Sequence, residues 1–130
     1  MNRKILVFGN PLIEKDSIAL KIAKVLQNSK NNGFAFEFVN SPEELQNYGS
    51  ELLIMDAVKG LDRVQLLEGL DKIHLPPRIT THDFDLTFNL KLLQKIGKIS
   101  KVQLIAIPPE MQLQYAIATV EKLLNELKGK

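Results

Sequence analysis

At 130 residues the chain has the length of one ordinary domain, enough to bury a core without disulfides or a structural metal. Its 45% apolar and 25% charged residues are those of a soluble globular protein. It contains no cysteine, which excludes disulfides, thiolate metal sites and cysteine nucleophiles together and fits a cytoplasmic setting. The net charge is only +2 and no basic stripe interleaves with aromatics, so neither nucleic acid nor a membrane surface is indicated as a partner.

In chain order, Met1-Asn2-Arg3-Lys4 precedes an apolar run too short for a signal peptide or a membrane span, and Ile5-Leu6-Val7-Phe8 reads as a first strand. Gly9-Asn10-Pro11 turns the chain, and Asp16 stands where a helix N-cap belongs. Ile18, Ile22, Val25 and Leu26, with Ala19 and Ala23, then recur at helical spacing. Phe34, Phe36 and Phe38 alternate as in a strand, with all three phenylalanines expected in the core. Ser41-Pro42-Glu43-Glu44 carries a capping-box pattern for a short helix that ends near Gly49.

Leu52-Leu53-Ile54-Met55 is a continuous apolar run, the mark of a parallel strand covered on both faces, with Asp56 at its carboxyl end. Val64-Gln65-Leu66-Leu67 fits an edge strand, and Leu70 to Leu75 either its partner or an extended approach to Pro76-Pro77. Leu86, Leu90 and Leu93, with Phe88, Leu92 and Ile96, form a broad apolar helical face that stops at Gly97. Val102 to Ile107 is a last strand, and Leu113, Ile117, Val120, Leu124 and Leu127 mark a final helix, with Glu110 read as its first-turn acid. The alternation predicts an α/β fold: one three-layer domain, residues 1–130, with a mostly parallel twisted sheet of about five strands and helices on both faces.

In open sheets of this kind ligands collect outside the carboxyl ends of the strands, where the strand order reverses. Asp16, Asp56 and the loop carrying His82 all belong to that rim by their place in the alternation. Two carboxylates and an imidazole make a facial ligand set for nickel, zinc or iron and leave positions open for something brought in from outside. Taken singly, each has a plain structural alternative: Asp16 as a helix cap, Asp56 as a turn aspartate bonded to backbone amides, His82 as an ordinary loop histidine. Asp83 and Asp85 are simplest as first-turn acids, and His74 lies in an ill-defined apolar run.

Together the segments resemble the hydrogenase maturation proteases, endopeptidases that trim the carboxyl-terminal tail of the large subunit of nickel-iron hydrogenases. Val7-Phe8-Gly9-Asn10-Pro11-Leu12 with Asp16 is similar to the family's opening loop, and Leu53-Ile54-Met55-Asp56-Ala57-Val58 to its strand ending in aspartate. Thr81-His82-Asp83-Phe84-Asp85-Leu86 resembles the histidine segment before a helix, and Leu104-Ile105-Ala106-Ile107-Pro108-Pro109-Glu110 the late strand with its Pro-Glu end. The resemblance implies that Asp16, Asp56 and His82 are catalytic and bind nickel already installed in the hydrogenase precursor, with Gly9 and Asn10 as substrate contacts. No permanently bound cofactor is then expected, since the substrate supplies the metal.

The chain departs from the family's pattern in two places. Phe34 to Leu52 is compact and lacks the glycine-rich turn many members carry, and Arg63 to Leu75 is short. Two rival readings remain. One is a receiver-type phosphorylation domain, which also places an aspartate at the end of its third strand but wants acids where this chain has Gly9-Asn10 and a lysine where it has Pro108-Pro109. The other is a nickel-sensing or scaffold protein that binds the immature large subunit without cutting it.

Overall fold

The strands with the longest apolar runs form the middle of the sheet, as their sequences require. The computed structural model describes residues 3–9, 17–28, 33–39, 42–69 and 90–128. Five strands, β1 (Arg3–Val7), β2 (Phe34–Phe38), β3 (Glu51–Ala57), β4 (Gln65–Glu68) and β5 (Lys101–Ile107), make one sheet in the order β2-β1-β3-β5-β4. β2, β1, β3 and β5 run parallel, and β4 alone is antiparallel, pairing Gln65 with Ala106 and Glu68 with Gln103.

The period-two alternation sorts the side chains of the central strands onto two faces. Ile5, Val7, Leu53, Met55, Ile105 and Ile107 pack under α1 (Ile18–Leu26) and the carboxyl-terminal helix α3 (Leu113–Lys128). Leu6, Phe8, Leu52, Ile54, Leu104 and Ala106 face the opposite side, where a 3₁₀ helix (Pro42–Tyr48) and helix α2 (90–95) supply Leu45, Leu90 and Leu93. The sheet thus has helices on both faces, as expected for β3, all of whose residues after Glu51 are buried. Each fully buried Leu, Ile or Phe contributes about 1.5–3 kcal/mol relative to exposure.

Several local expectations need correction. The N-cap position of α1 belongs to Ser17, whose carbonyl accepts the Lys21 amide at 3.0 Å, so the cap assigned to Asp16 is taken by its neighbour. Val25 is half exposed while Leu20, not singled out in the sequence, is buried. Phe38 is exposed at the end of β2, which among the described strands pairs with β1 alone. The apolar face of α2 is narrower than the sequence implies: Leu90 and Leu93 are buried, Leu92 and Ile96 exposed. The short helix expected after Ser41 is present as a 3₁₀ helix that ends at Tyr48, beside Gly49. The edge-strand reading of Gln65 to Leu67 holds, whereas the alternatives for Leu70 to Leu75 concern residues outside the described ones.

The end of α2 is as its glycine requires. Gly97 has φ +81°, the left-handed conformation that favours glycine, and the amides of Gly97 and Lys98 close back onto the carbonyls of Gln94 and Leu93 at 3.1 and 2.8 Å. This stop delivers the chain to the amino edge of the sheet, where the Ser100 amide donates to the Ser50 carbonyl at 2.7 Å. At the same edge the Arg3 guanidinium donates to Oε1 of the buried Gln103, tying β1 to β5 across β3.

On the α2 side the 3₁₀ helix is fastened by a polar cluster. Lys4 Nζ lies 3.2 Å from the Glu37 carboxylate and 5.5 Å from the centre of the Tyr48 ring, while the Tyr48 hydroxyl donates to Glu37. The hydrogen bond from Tyr48, then the one from Lys4, lowers the Glu37 pKa. That from Tyr48 to Glu37, with burial and the Glu37 charge, pushes the phenol up to about 12 from 10.0. Because the folded phenol holds its proton more tightly than the unfolded one, the contact contributes fully below pH 10.0 and is lost as pH rises through about 12. For Glu37 the sign is opposite, with stability lost as pH falls below the ordinary 4.5. A spectrophotometric titration should therefore show a phenol step at about 12 that Tyr48→Phe removes. The stability gap between the two proteins should close over the same rise in pH.

Candidate active site at the carboxyl rim of the sheet

β1 pairs with β2 on one side and β3 on the other, so the strand order reverses between β1 and β3. A crevice at that reversal is where open α/β sheets hold their ligands. The β1–β3 ladder runs to its last rung there, with the Phe8 amide donating to the Met55 carbonyl at 3.0 Å. On the other side of β1 the Val39 amide bonds to Val7, so all three strands are held in register up to the rim.

Two of the residues expected from the sequence sit at this point. Gly9 lies two residues past the end of β1 with φ +154°, a conformation that side chains rarely adopt. Asp56 is the penultimate residue of β3, paired in register with Ala106, and is fully buried. Its place in the alternation puts it on the face of Ile54 and Ala106, the face covered by α2. Oδ1 accepts the Ala57 amide at 2.8 Å. The bond is of the kind the turn-aspartate reading expects, and a carboxylate buried here depends on its interactions to offset the loss of hydration.

Asn10, Asp16 and His82 lie outside the described residues, so the structure does not decide whether the three proposed ligands meet. α1 starts at Ile18 after the β1 exit, and α2 runs toward the amino edge that it reaches at Ser100. Among the described residues no three Asp, Glu or His side chains group closely enough to hold an ion.

One feature of the rim went unrecognised in the sequence. A cavity of about 330 Å³ lies between the turn after β3, with Lys59, Gly60 and Leu61, and the turn after β5, with Pro108, Pro109 and Glu110. The Val58 amide donates to the Ile107 carbonyl at 2.9 Å and holds the two turns side by side. Glu110 is therefore a turn residue on the cavity wall and not a first-turn acid, since α3 begins at Leu113 with no acid in its first turn. The available signal was positional: both turns follow neighbouring strands at their carboxyl ends.

The architecture excludes the receiver-type rival. Such doubly wound domains order their strands 2-1-3-4-5, whereas here β5 lies beside β3 and β4 is an antiparallel outer strand. The same arrangement occurs across nearly the whole length of several solved structures. The hydrogenase maturating endopeptidase HybD from E. coli superposes with a TM-score of 0.69 at 17% identity, covering 99% of this chain and 93% of that one. The fold is that of the hydrogenase maturation endopeptidases. A hydrogenase 3 maturation protease gives a TM-score of 0.66 at 21% identity over 95% and 89% of the two chains. A hydrogenase 2 maturation peptidase from a Thaumarchaeota archaeon gives 0.58 at 19% over 98% and 99%. No protein-family model matches the sequence, and no curated protein matches it.

Asp56→Asn keeps an oxygen for the Ala57 amide while removing the charge, and Asp56→Ala removes both. Chemical denaturation should show Asp56→Ala losing about 1–3 kcal/mol, with Asp56→Asn closer to the parent. If the carboxylate serves chemistry rather than the turn, both variants should lose activity alike despite that difference in stability.

Proposed function

We propose that the protein is an endopeptidase that removes the carboxyl-terminal tail of a nickel-iron hydrogenase large-subunit precursor after nickel insertion. The observation that carries this reading is the fully buried Asp56 carboxylate at the strand-order reversal of a fold shared with hydrogenase maturation endopeptidases. Asp16, Asp56 and His82 recognise the nickel that the substrate brings, and Gly9 and Asn10 contact the substrate chain. Nickel is thus part of the substrate, and the protein keeps no cofactor of its own. Cysteine-free composition agrees with work in the cytoplasm, where such a precursor would be assembled.

The reaction is peptide hydrolysis. Water oxygen bonds to the scissile carbonyl carbon, the carbon–nitrogen bond breaks, and the departing amine takes up a proton. A metal ion held against open coordination positions lowers the barrier by polarising the carbonyl or by acidifying bound water. For this protein the ion doubles as a signal of readiness, because a precursor without nickel offers nothing for the two carboxylates and the imidazole to grip.

Incubation of the purified protein with nickel-loaded and nickel-free precursor, followed by mass spectrometry, tests the reading. The loaded precursor should lose the mass of its tail and the nickel-free one should not. Binding without any change of mass would instead indicate a nickel-sensing scaffold, and absence of binding would remove both. His82→Ala should abolish processing, by about a hundredfold or more, with a melting temperature within a few degrees of the parent.

A further inference from the structure

The cavity between the turns after β3 and β5 has a composition that the proposed reaction does not yet use. Leu61, Pro108 and Pro109 give it an apolar lining, with Pro108 buried and Leu61 and Pro109 half-buried. The two prolines bring no N–H groups to that wall. Lys59 and Glu110, both exposed, come from opposite turns. A lysine ammonium only donates hydrogen bonds and a carboxylate only accepts them, so the pair matches the carbonyl and amide of a peptide backbone. Their charges cancel, which disfavours a charged side chain between them. The volume of about 330 Å³ is at the lower end of the range for ligand pockets, enough for a short piece of chain and too small for a large molecule.

Position supplies the second argument. Only Ala57 and Val58 separate Asp56 from Lys59, and in the register of β3 with β5 Asp56 pairs with Ala106, two residues before Pro108. The cavity therefore continues the rim on which the buried carboxylate lies, on the side away from β1.

We propose that this cavity is a specificity pocket for the peptide being cut. It seats one uncharged residue near the scissile bond, with Lys59 donating to a main-chain carbonyl and Glu110 accepting a main-chain amide. The inference rests on the endopeptidase reading for its reaction, but its ligand, an extended peptide, can be tested without the reaction.

The test combines kinetics on nickel-loaded precursor with amide chemical shifts on adding a synthetic peptide that spans the cut site. Leu61→Trp fills the pocket, and Lys59→Met and Glu110→Gln alter the polar grip without touching the core. Leu61→Trp and Lys59→Met should raise KM by about tenfold or more with a smaller change in kcat. Replacing the seated residue of the precursor by Asp should cost about as much. The peptide should shift the amides of Gly60, Leu61 and Glu110. Parent-like kinetics in a folded Leu61→Trp or in Lys59→Met would overturn the proposal and leave the endopeptidase reading standing, as would unshifted amides. A parent protein that cuts nothing but still shows those shifts would remove the reaction and keep the pocket.

Discussion

A strand covered on both faces leaves no water for a polar side chain, and this constraint governs the centre of the molecule. β3 lies between β1 and β5 with a hydrophobic layer above and another below, so its interior is Leu-Leu-Ile-Met. A carboxylate can enter such a strand only near its end, and there it still loses most of its hydration. Asp56 occupies that place, and its Oδ1 accepts the Ala57 amide at 2.8 Å. Burial of a carboxylate costs stability that its partners must offset, and a buried ionisable group at such a rim is a candidate for function as well as for structure.

The layers on either side have different tasks. α1 and α3 close one face with aliphatic side chains and hold the parallel core together. The other face is closed in smaller pieces, the 3₁₀ helix under Leu45 and α2 under Leu90 and Leu93, and the Asp56 side chain belongs to this face. The rim above both layers is built from turns. Gly9 lies two residues past the end of β1, and the paired turns after β3 and β5 enclose the cavity beyond Asp56.

Much of this was legible in the residues, since continuous apolar runs mark parallel strands and helical periodicity marks their covers. The five described strands, the helices that cover them and the position of Asp56 follow from those patterns. What escaped depends on neighbours that a sequence does not name. Phe38 alternates like a core residue but is exposed at the end of β2, an outer one of the described strands, and Leu92 and Ile96 extend an apolar stripe wider than the surface it meets. The cap of α1 falls to Ser17 because its carbonyl, one residue past Asp16, opens the helix. Glu110 resembled a helix acid because the two-residue turn preceding it gave no sign that α3 would wait until Leu113. The cavity was invisible for a related reason, as its halves are separated by nearly fifty positions and meet only through the β3–β5 register.

β2 presents three phenylalanines in five residues on an outer strand, the kind of backbone edge to which another extended chain can add. Glu37 interrupts that run, and Lys4 with Tyr48 keeps it ionised. A second molecule laid along the same strand would have to crowd another negative group against it and strip water from both. The cluster that pins the 3₁₀ helix thereby also sets a paired charge on an outer strand of the described sheet.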